Sequence, residues 1–158
     1  VRYLGIDLGE KRTGLALGDA ESGIVSPLKV LEIGAAADGG RALLEGVAKA
    51  ALEHRPDAIV IGLPLNMDDG SEGPAAKRSR EFGRRLGERI AAPVHYFDER
   101  LTSSDADWAM AGSGLTHGQK KARRDALAAA AILRDFLASI DPPEGGRWDD
   151  SAEKNGWD

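Results

Sequence analysis

The chain has 158 residues, no cysteine and a formal net charge of −5. That length buries one core without metal or disulfide staples, and the missing thiols exclude cysteine chemistry and Cys-type zinc sites. No apolar run nears the ~20 residues that span a bilayer and the N-terminus shows no signal-peptide pattern, so a soluble cytoplasmic protein is expected. The charge is uneven: residues 141–158 carry six acids and two bases, leaving 20 acids and 19 bases in the rest. Lys77 to Arg89 holds six bases against two acids, and Lys120 to Arg124 four against none. A near-neutral body with basic patches permits a polyanionic partner.

In chain order, residues 2–8, 13–17 and 24–31 read as three strands joined by tight glycine-containing turns, an antiparallel meander. Asp38-Gly39-Gly40 offers an N-cap to a helix over 41–55, where Leu44, Val47, Ala48 and Ala51 recur at helical spacing. Ala58 to Leu63 is a continuous apolar run, as in a strand buried on both faces. The loop 64–73 leads to Pro74, suited to a first helical turn, and Phe82, Leu86 and Ile90 mark the helix that follows. Residues 94–98 form a second short buried strand. Thr102 with Asp105, and Thr116 with Gln119, resemble capping boxes, and Trp108 is expected in the core. The last helix runs to about Ile140. Pro142 to Gly146 then breaks the pattern, so the expected organisation is one domain over 1–140 and an acidic, disordered tail over 141–158 whose removal changes stability little.

Three antiparallel strands followed by helix–strand–helix–strand–helix is the order of an α/β ribonuclease H-like fold. It predicts a mixed five-stranded sheet, three strands antiparallel and two parallel, flanked by helices. Right-handed crossovers place the first, fourth and fifth strands parallel, with their C-terminal ends at the edge where ligands bind. Asp7, the 64–73 loop and Asp98-Glu99 then gather there. A carboxylate inside a buried strand needs a partner or a cation, and Gly5 and Gly9 leave room around Asp7. Asp125 continues the apolar stripe of Ala129, Ile132 and Phe136 on the last helix. Its plain partner is Arg123 or Arg124; the sharper reading aims it at Asp7. Carboxylates from these three places supply the oxygen ligands that Mg²⁺ or Mn²⁺ prefer. Such ions activate water and stabilise a phosphodiester displacement.

Leu4-Gly5-Ile6-Asp7-Leu8-Gly9-Glu10-Lys11-Arg12-Thr13-Gly14-Leu15-Ala16, Gly62-Leu63-Pro64-Leu65-Asn66-Met67-Asp68, Asp98-Glu99-Arg100-Leu101-Thr102, and Asp125 before Ala128 to Leu133 together resemble the YqgF/RuvX family. The resemblance covers residues 2 to about 138. It implies a ribonuclease H-like fold, kinship with the RuvC resolvases, and a nuclease maturing the 5′ end of pre-16S rRNA or resolving Holliday junctions. Two departures stand out. Asp69 is an extra residue in the loop and Ser71 replaces the usual Thr. Where RuvC-type resolvases place a glutamate after the fourth strand, this chain has Leu63-Pro64. The second carboxylate therefore falls to Asp98-Glu99, with Glu99 the first choice and Asp98 the second.

The expected site is thus Asp7, Glu99 and Asp125 as catalytic metal ligands, with Asp98 as the alternative and Asn66 and Asp68 in the loop beside them. Lys11, Arg12, Arg100, Lys120, Lys121, Arg123 and Arg124 border it as phosphate contacts. His54, His95 and His117 lack partners at catalytic spacing; His95 reads as a core or sheet residue and His54 as a helix C-terminal cation. A homodimer is expected by analogy with the resolvases. Two competing readings remain. One takes Gly5 to Gly9 as the phosphate loop of actin-like ATPases and sugar kinases, whose site needs a second such domain. The other is a nucleic-acid-binding or ribosome-assembly factor without catalysis.

Overall fold

A computed structural model of the chain describes residues 1–101 and 117–140, with side chains for 1–100 and 124–140. Strands β1 (Arg2–Leu8), β2 (Thr13–Asp19), β3 (Val25–Leu31), β4 (Ala58–Leu63) and β5 (Val94–Asp98) form one sheet, in the order β3-β2-β1-β4-β5. β2 pairs antiparallel with β1 and with β3. β4 pairs parallel with β1 and with β5. This is the mixed ribonuclease H-like sheet that the element order predicts, and β1, β4 and β5 end at one edge.

Helices α1 (Arg41–His54), α2 (Pro74–Ile90) and α3 (His117–Ile140) cover the sheet. Side chains alternate along a strand, and β1 divides accordingly. Leu4 and Ile6 pack with Leu43 and Val47 of α1 and Phe82 and Leu86 of α2. Tyr3 packs with Ala129, Leu133 and Phe136 of α3 on the other face. With both faces covered, β4 is buried throughout, as its unbroken apolar run requires.

Two local expectations are corrected. β5 is not buried: each of its residues is partly or fully exposed, because it pairs only with β4 and forms the sheet edge. Asp38 does not cap α1. The backbone turns through Asp38, Gly39 and Gly40, all at positive φ, so Gly40 is the N-cap residue and no side chain bonds to the first turn. Pro74 does open α2. Among the described residues no helix is long and apolar enough to cross a membrane. The capping boxes of Thr102 and Thr116, Trp108 and the whole of 141–158, including Trp148 and Trp157, lie outside the described residues.

Candidate active site at the carboxyl edge of the sheet

Strand alternation decides which acids can meet. Odd positions of β1 face α3, as Tyr3 shows, and Asp7 is one of them. On β5 the Phe97 ring meets Phe136 of α3 edge-on at 6.2 Å, while Val94 and Tyr96 pack against the opposite core. The odd position after Phe97 is Glu99, in the short 3₁₀ turn Glu99–Leu101. Glu99 and Asp7 share a side-chain hydrogen bond. Asp98, with the other parity, turns away. Its Oδ2 accepts from Arg100 Nη2 at 2.7 Å, and its Oδ1 accepts from the Arg100 backbone N–H at 2.9 Å.

Two glycines make the approach of the acids feasible. Ile6 pairs with Ile61, so Gly62 follows at the level of Asp7. Gly62 in turn pairs with Phe97. A Cβ at Gly62 would lie 2.7 Å from both Glu99 Oε2 and Ile132 Cδ1, closer than real Cβ contacts. Glu99 therefore crosses the bare backbone of β4 to reach Asp7. On the other side, Gly14 pairs with Asp7 in the β1–β2 ladder, and a Cβ there would collide with the backbone carbonyl of Asp125. The missing side chain lets α3 settle onto the sheet with Asp125, itself partly buried, close enough for its charge to act on Asp7. Neither glycine is a site residue in the sequence reading. The signal that finds Gly14 is the hairpin itself: a turn over 9–12 sets Leu8 opposite Thr13 and Asp7 opposite Gly14.

The electrostatics follow from this crowding. Burial, then the charges of Glu99 and Asp125, then the hydrogen bond to Glu99 push the Asp7 pKa up to about 8. Burial raises Glu99 most and the Asp98 charge adds to it, while the Asp7 hydrogen bond works in the opposite direction. Arg100 holds Asp98 below the usual carboxylate range. A proton held by Asp7 and shared with Glu99 is what adjoining buried carboxylates adopt when no cation is beside them. As the side chains stand, the described residues contain no group of three His, Cys, Asp or Glu that could hold a metal ion. The donor set nonetheless suits a hard divalent cation: Asp7, Glu99 and Asp125 offer only oxygen. Such a cation would replace the shared proton.

The remaining predicted residues divide. Arg100 is bidentate on Asp98 (Nε to Oδ1 3.1 Å), and its Nη1 donates to the Asn66 carbonyl at 3.4 Å. It braces the loop against β5. In that loop Asn66 N–H donates to the Ser71 carbonyl at 2.9 Å, and Asn66 Nδ2 to Ser71 Oγ at 2.8 Å. The extra residue, Asp69, accepts from the Ser71 N–H at 3.0 Å, so it closes the turn. Asp68 is exposed. Arg12 pairs with Glu32 at 3.2 Å, Lys11 is exposed, and Arg124 is exposed on α3. The side chains of Lys120, Lys121 and Arg123 lie outside the described residues. His54 sits in the last turn of α1, and His95 lies 5.5 Å from the Phe136 ring.

The chain is 42% identical over 135 residues to a Thiobacillus denitrificans protein named "Putative pre-16S rRNA nuclease", covering 85% of this chain and 89% of that one. A relative of the same name from Anaeromyxobacter is 39% identical over 137 residues, 87% of this chain and 96% of that one. Among solved structures, Thermus thermophilus RuvC in complex with a Holliday junction substrate matches with a TM-score of 0.57 at 13% identity, covering 90% of this chain and 97% of that one. The fowlpox virus resolvase in complex with Holliday junction DNA matches with a TM-score of 0.58 at 11% identity, covering 89% and 99%. At such identities these two establish the fold alone. Residues 1–139 match the family described as "RuvX: Holliday junction resolvase", and with relatives near 40% identity over most of their length, the chain belongs to the RuvX family.

Proposed function

We propose that the protein hydrolyses phosphodiester bonds of structured nucleic acid in the cytoplasm, with precursor 16S rRNA cut near its 5′ end as the first substrate. The observation that carries this reading is the convergence of Asp7, Glu99 and Asp125 where β1, β4 and β5 end. The three carboxylates would hold Mg²⁺ or Mn²⁺, which would supply an activated water and neutralise charge on the phosphate. Asp7, on which the charges of both Glu99 and Asp125 act, would give up its proton to hold the cation. Glu99 crosses Gly62 to reach Asp7, and the Asp125 backbone is seated over Gly14, which brings its charge to bear on Asp7. Arg100 ties Asp98 to the Asn66 carbonyl of the loop. Lys11, exposed in the β1–β2 turn, is assigned to phosphate contact, as are Lys120, Lys121, Arg123 and Arg124 by their basic run in the sequence.

Branched DNA is the second reading, favoured by the family's description and the shared resolvase fold. A cleavage assay separates the two. Single-stranded RNA, a precursor 16S fragment and a four-way DNA junction are each incubated with Mg²⁺, Mn²⁺ or EDTA. The proposal requires metal-dependent cutting of the precursor fragment above the other two. Preferential cutting of the junction transfers the assignment to DNA, and binding without cutting makes the protein an assembly factor. Light scattering on the same preparation tests the homodimer.

A further inference from the structure

Across the sheet edge from the carboxylates, on the face covered by α1 and α2, two cavities open side by side. The first, about 450 Å³, is bounded by Gly9 and Glu10 after β1, Pro64 after β4, and Ala75, Arg78 and Ser79 of α2. The second, about 260 Å³, lies between Gly39 and Gly40 and the Phe82 and Arg85 side of α2. Ala35, Ala36 and Arg78 line both, so they form one cleft with Arg78 at its waist. Its outer wall is held in place: Ala35 N–H donates to the Gly9 carbonyl at 3.1 Å, and Thr13 Oγ donates to the Ile33 carbonyl at 3.1 Å.

Of the other basic residues of α2, Lys77 is exposed and does not line the cleft, and the rest are engaged. Arg80 pairs with Glu72 at 2.6 Å, Arg84 with Glu81 at 2.6 Å, and Arg89 with Glu45 at 2.8 Å. Arg85 Nη1 donates to the Gly39 carbonyl at 3.2 Å and closes the far end of the cleft. Arg78 is exposed and, among the described residues lining the cleft, is the cation with neither a hydrogen bond nor an ion pair. Of the two acids on the walls, Glu81 is held by Arg84 and Glu10 lines the larger cavity. The walls are thus mostly small or apolar, with one available guanidinium, and the volume suits a small organic group. Gly9 follows β1 two residues after Asp7, so the mouth opens at the same carboxyl edge of the sheet as Asp7, on the opposite face.

We propose that this cleft seats one unpaired nucleotide of the substrate strand beside the cleavage position, with Arg78 on its phosphate. The proposal rests on the nuclease reading and adds to it a requirement for a single-stranded extension next to the scissile bond. The test measures binding by fluorescence anisotropy in EDTA, using a hairpin RNA with a three-nucleotide extension and a blunt hairpin of the same stem. Arg78→Ala should weaken binding of the extended hairpin about 5- to 20-fold, lower the slope of log K against log salt by about 0.7, and leave the blunt hairpin unchanged. Ala36→Trp, at an exposed position on the shared wall, fills the cleft without altering charge and should produce the same discrimination. Equal losses on both hairpins, or affinity for the extended one within twofold of wild type in both variants, overturns the proposal. Asp7→Asn is assayed for cleavage in parallel. If it is inactive while the Arg78 and Ala36 variants discriminate nothing, only the cleft is wrong; if it cuts like wild type, the nuclease site is wrong.

Discussion

Glu99 occupies the space that a side chain at Gly62 would fill, its Oε2 lying 2.7 Å from the Cβ position. β4 stands between the strands that carry Asp7 and Glu99, so the two acids meet only because the intervening residue has no side chain. Gly62→Ala should displace Glu99 or Ile132 by a few tenths of an ångström or more. Cleavage is expected to fall about 10²-fold, the scale of small misplacements in active sites, with circular dichroism spectra unchanged. Wild-type cleavage rates in this variant would show that the position of Glu99 is immaterial.

Gly14 bears a harsher constraint, since there the clash is with the Asp125 backbone, which cannot rotate away. Gly14→Ala must lift α3 from β2 and is expected to destabilise the fold by at least the ~1–3 kcal/mol typical of overpacking. A thermal melt reads this directly.

The raised pKa of Asp7 makes stability depend on pH. The ordinary value is 3.8 and the folded value about 8, so between these pH values the folded protein keeps a proton that the unfolded chain has lost. The associated stability is fully present below about pH 4 and declines as pH rises to about 8, by up to about 1.4 kcal/mol per unit. In EDTA, melting temperature should therefore fall across this window in the wild type and fall less in Asp7→Asn. Adding Mg²⁺ or Mn²⁺ at pH 8 should raise the wild-type melting temperature and leave the variant unmoved. Parallel pH profiles for the two proteins would remove Asp7 as the source.

Asp7→Asn and Asp125→Asn keep volume and remove charge. Each is expected to lower cleavage by several orders of magnitude, because water activation and transition-state charge stabilisation go together. Substrate binding should persist or tighten as a negative charge near phosphate is lost, which gel shifts in EDTA will measure.

Arg100→Ala should free Asp98 and the loop together. The expected signature is faster proteolysis within residues 64–73, with a cleavage rate reduced about tenfold as Glu99 loses the brace on its neighbour. Arg100→Lys keeps the charge but not the bidentate geometry, and should fall between the two.

Much of this protein is determined by sequence alone. The periods of its apolar residues set the order of strands and helices, and right-handed crossover sets the parallel strands, which brings Asp7 and Asp98-Glu99 to one edge. Asp125 shows itself as an acid continuing an apolar stripe. These are local or topological properties, and they survive without coordinates. Three matters needed the tertiary structure. The choice between Glu99 and Asp98 depends on the parity of β5 relative to α3, which the Phe97–Phe136 contact decides. The ion pairs of Arg100 and Arg12, to Asp98 and Glu32, depend on which side chains the fold brings within reach, which charge along the chain does not reveal. The part played by Gly14 and Gly62 arises from close packing between elements far apart in sequence. A glycine in a strand looks the same in sequence whether it faces solvent or the backbone of a helix carrying a carboxylate.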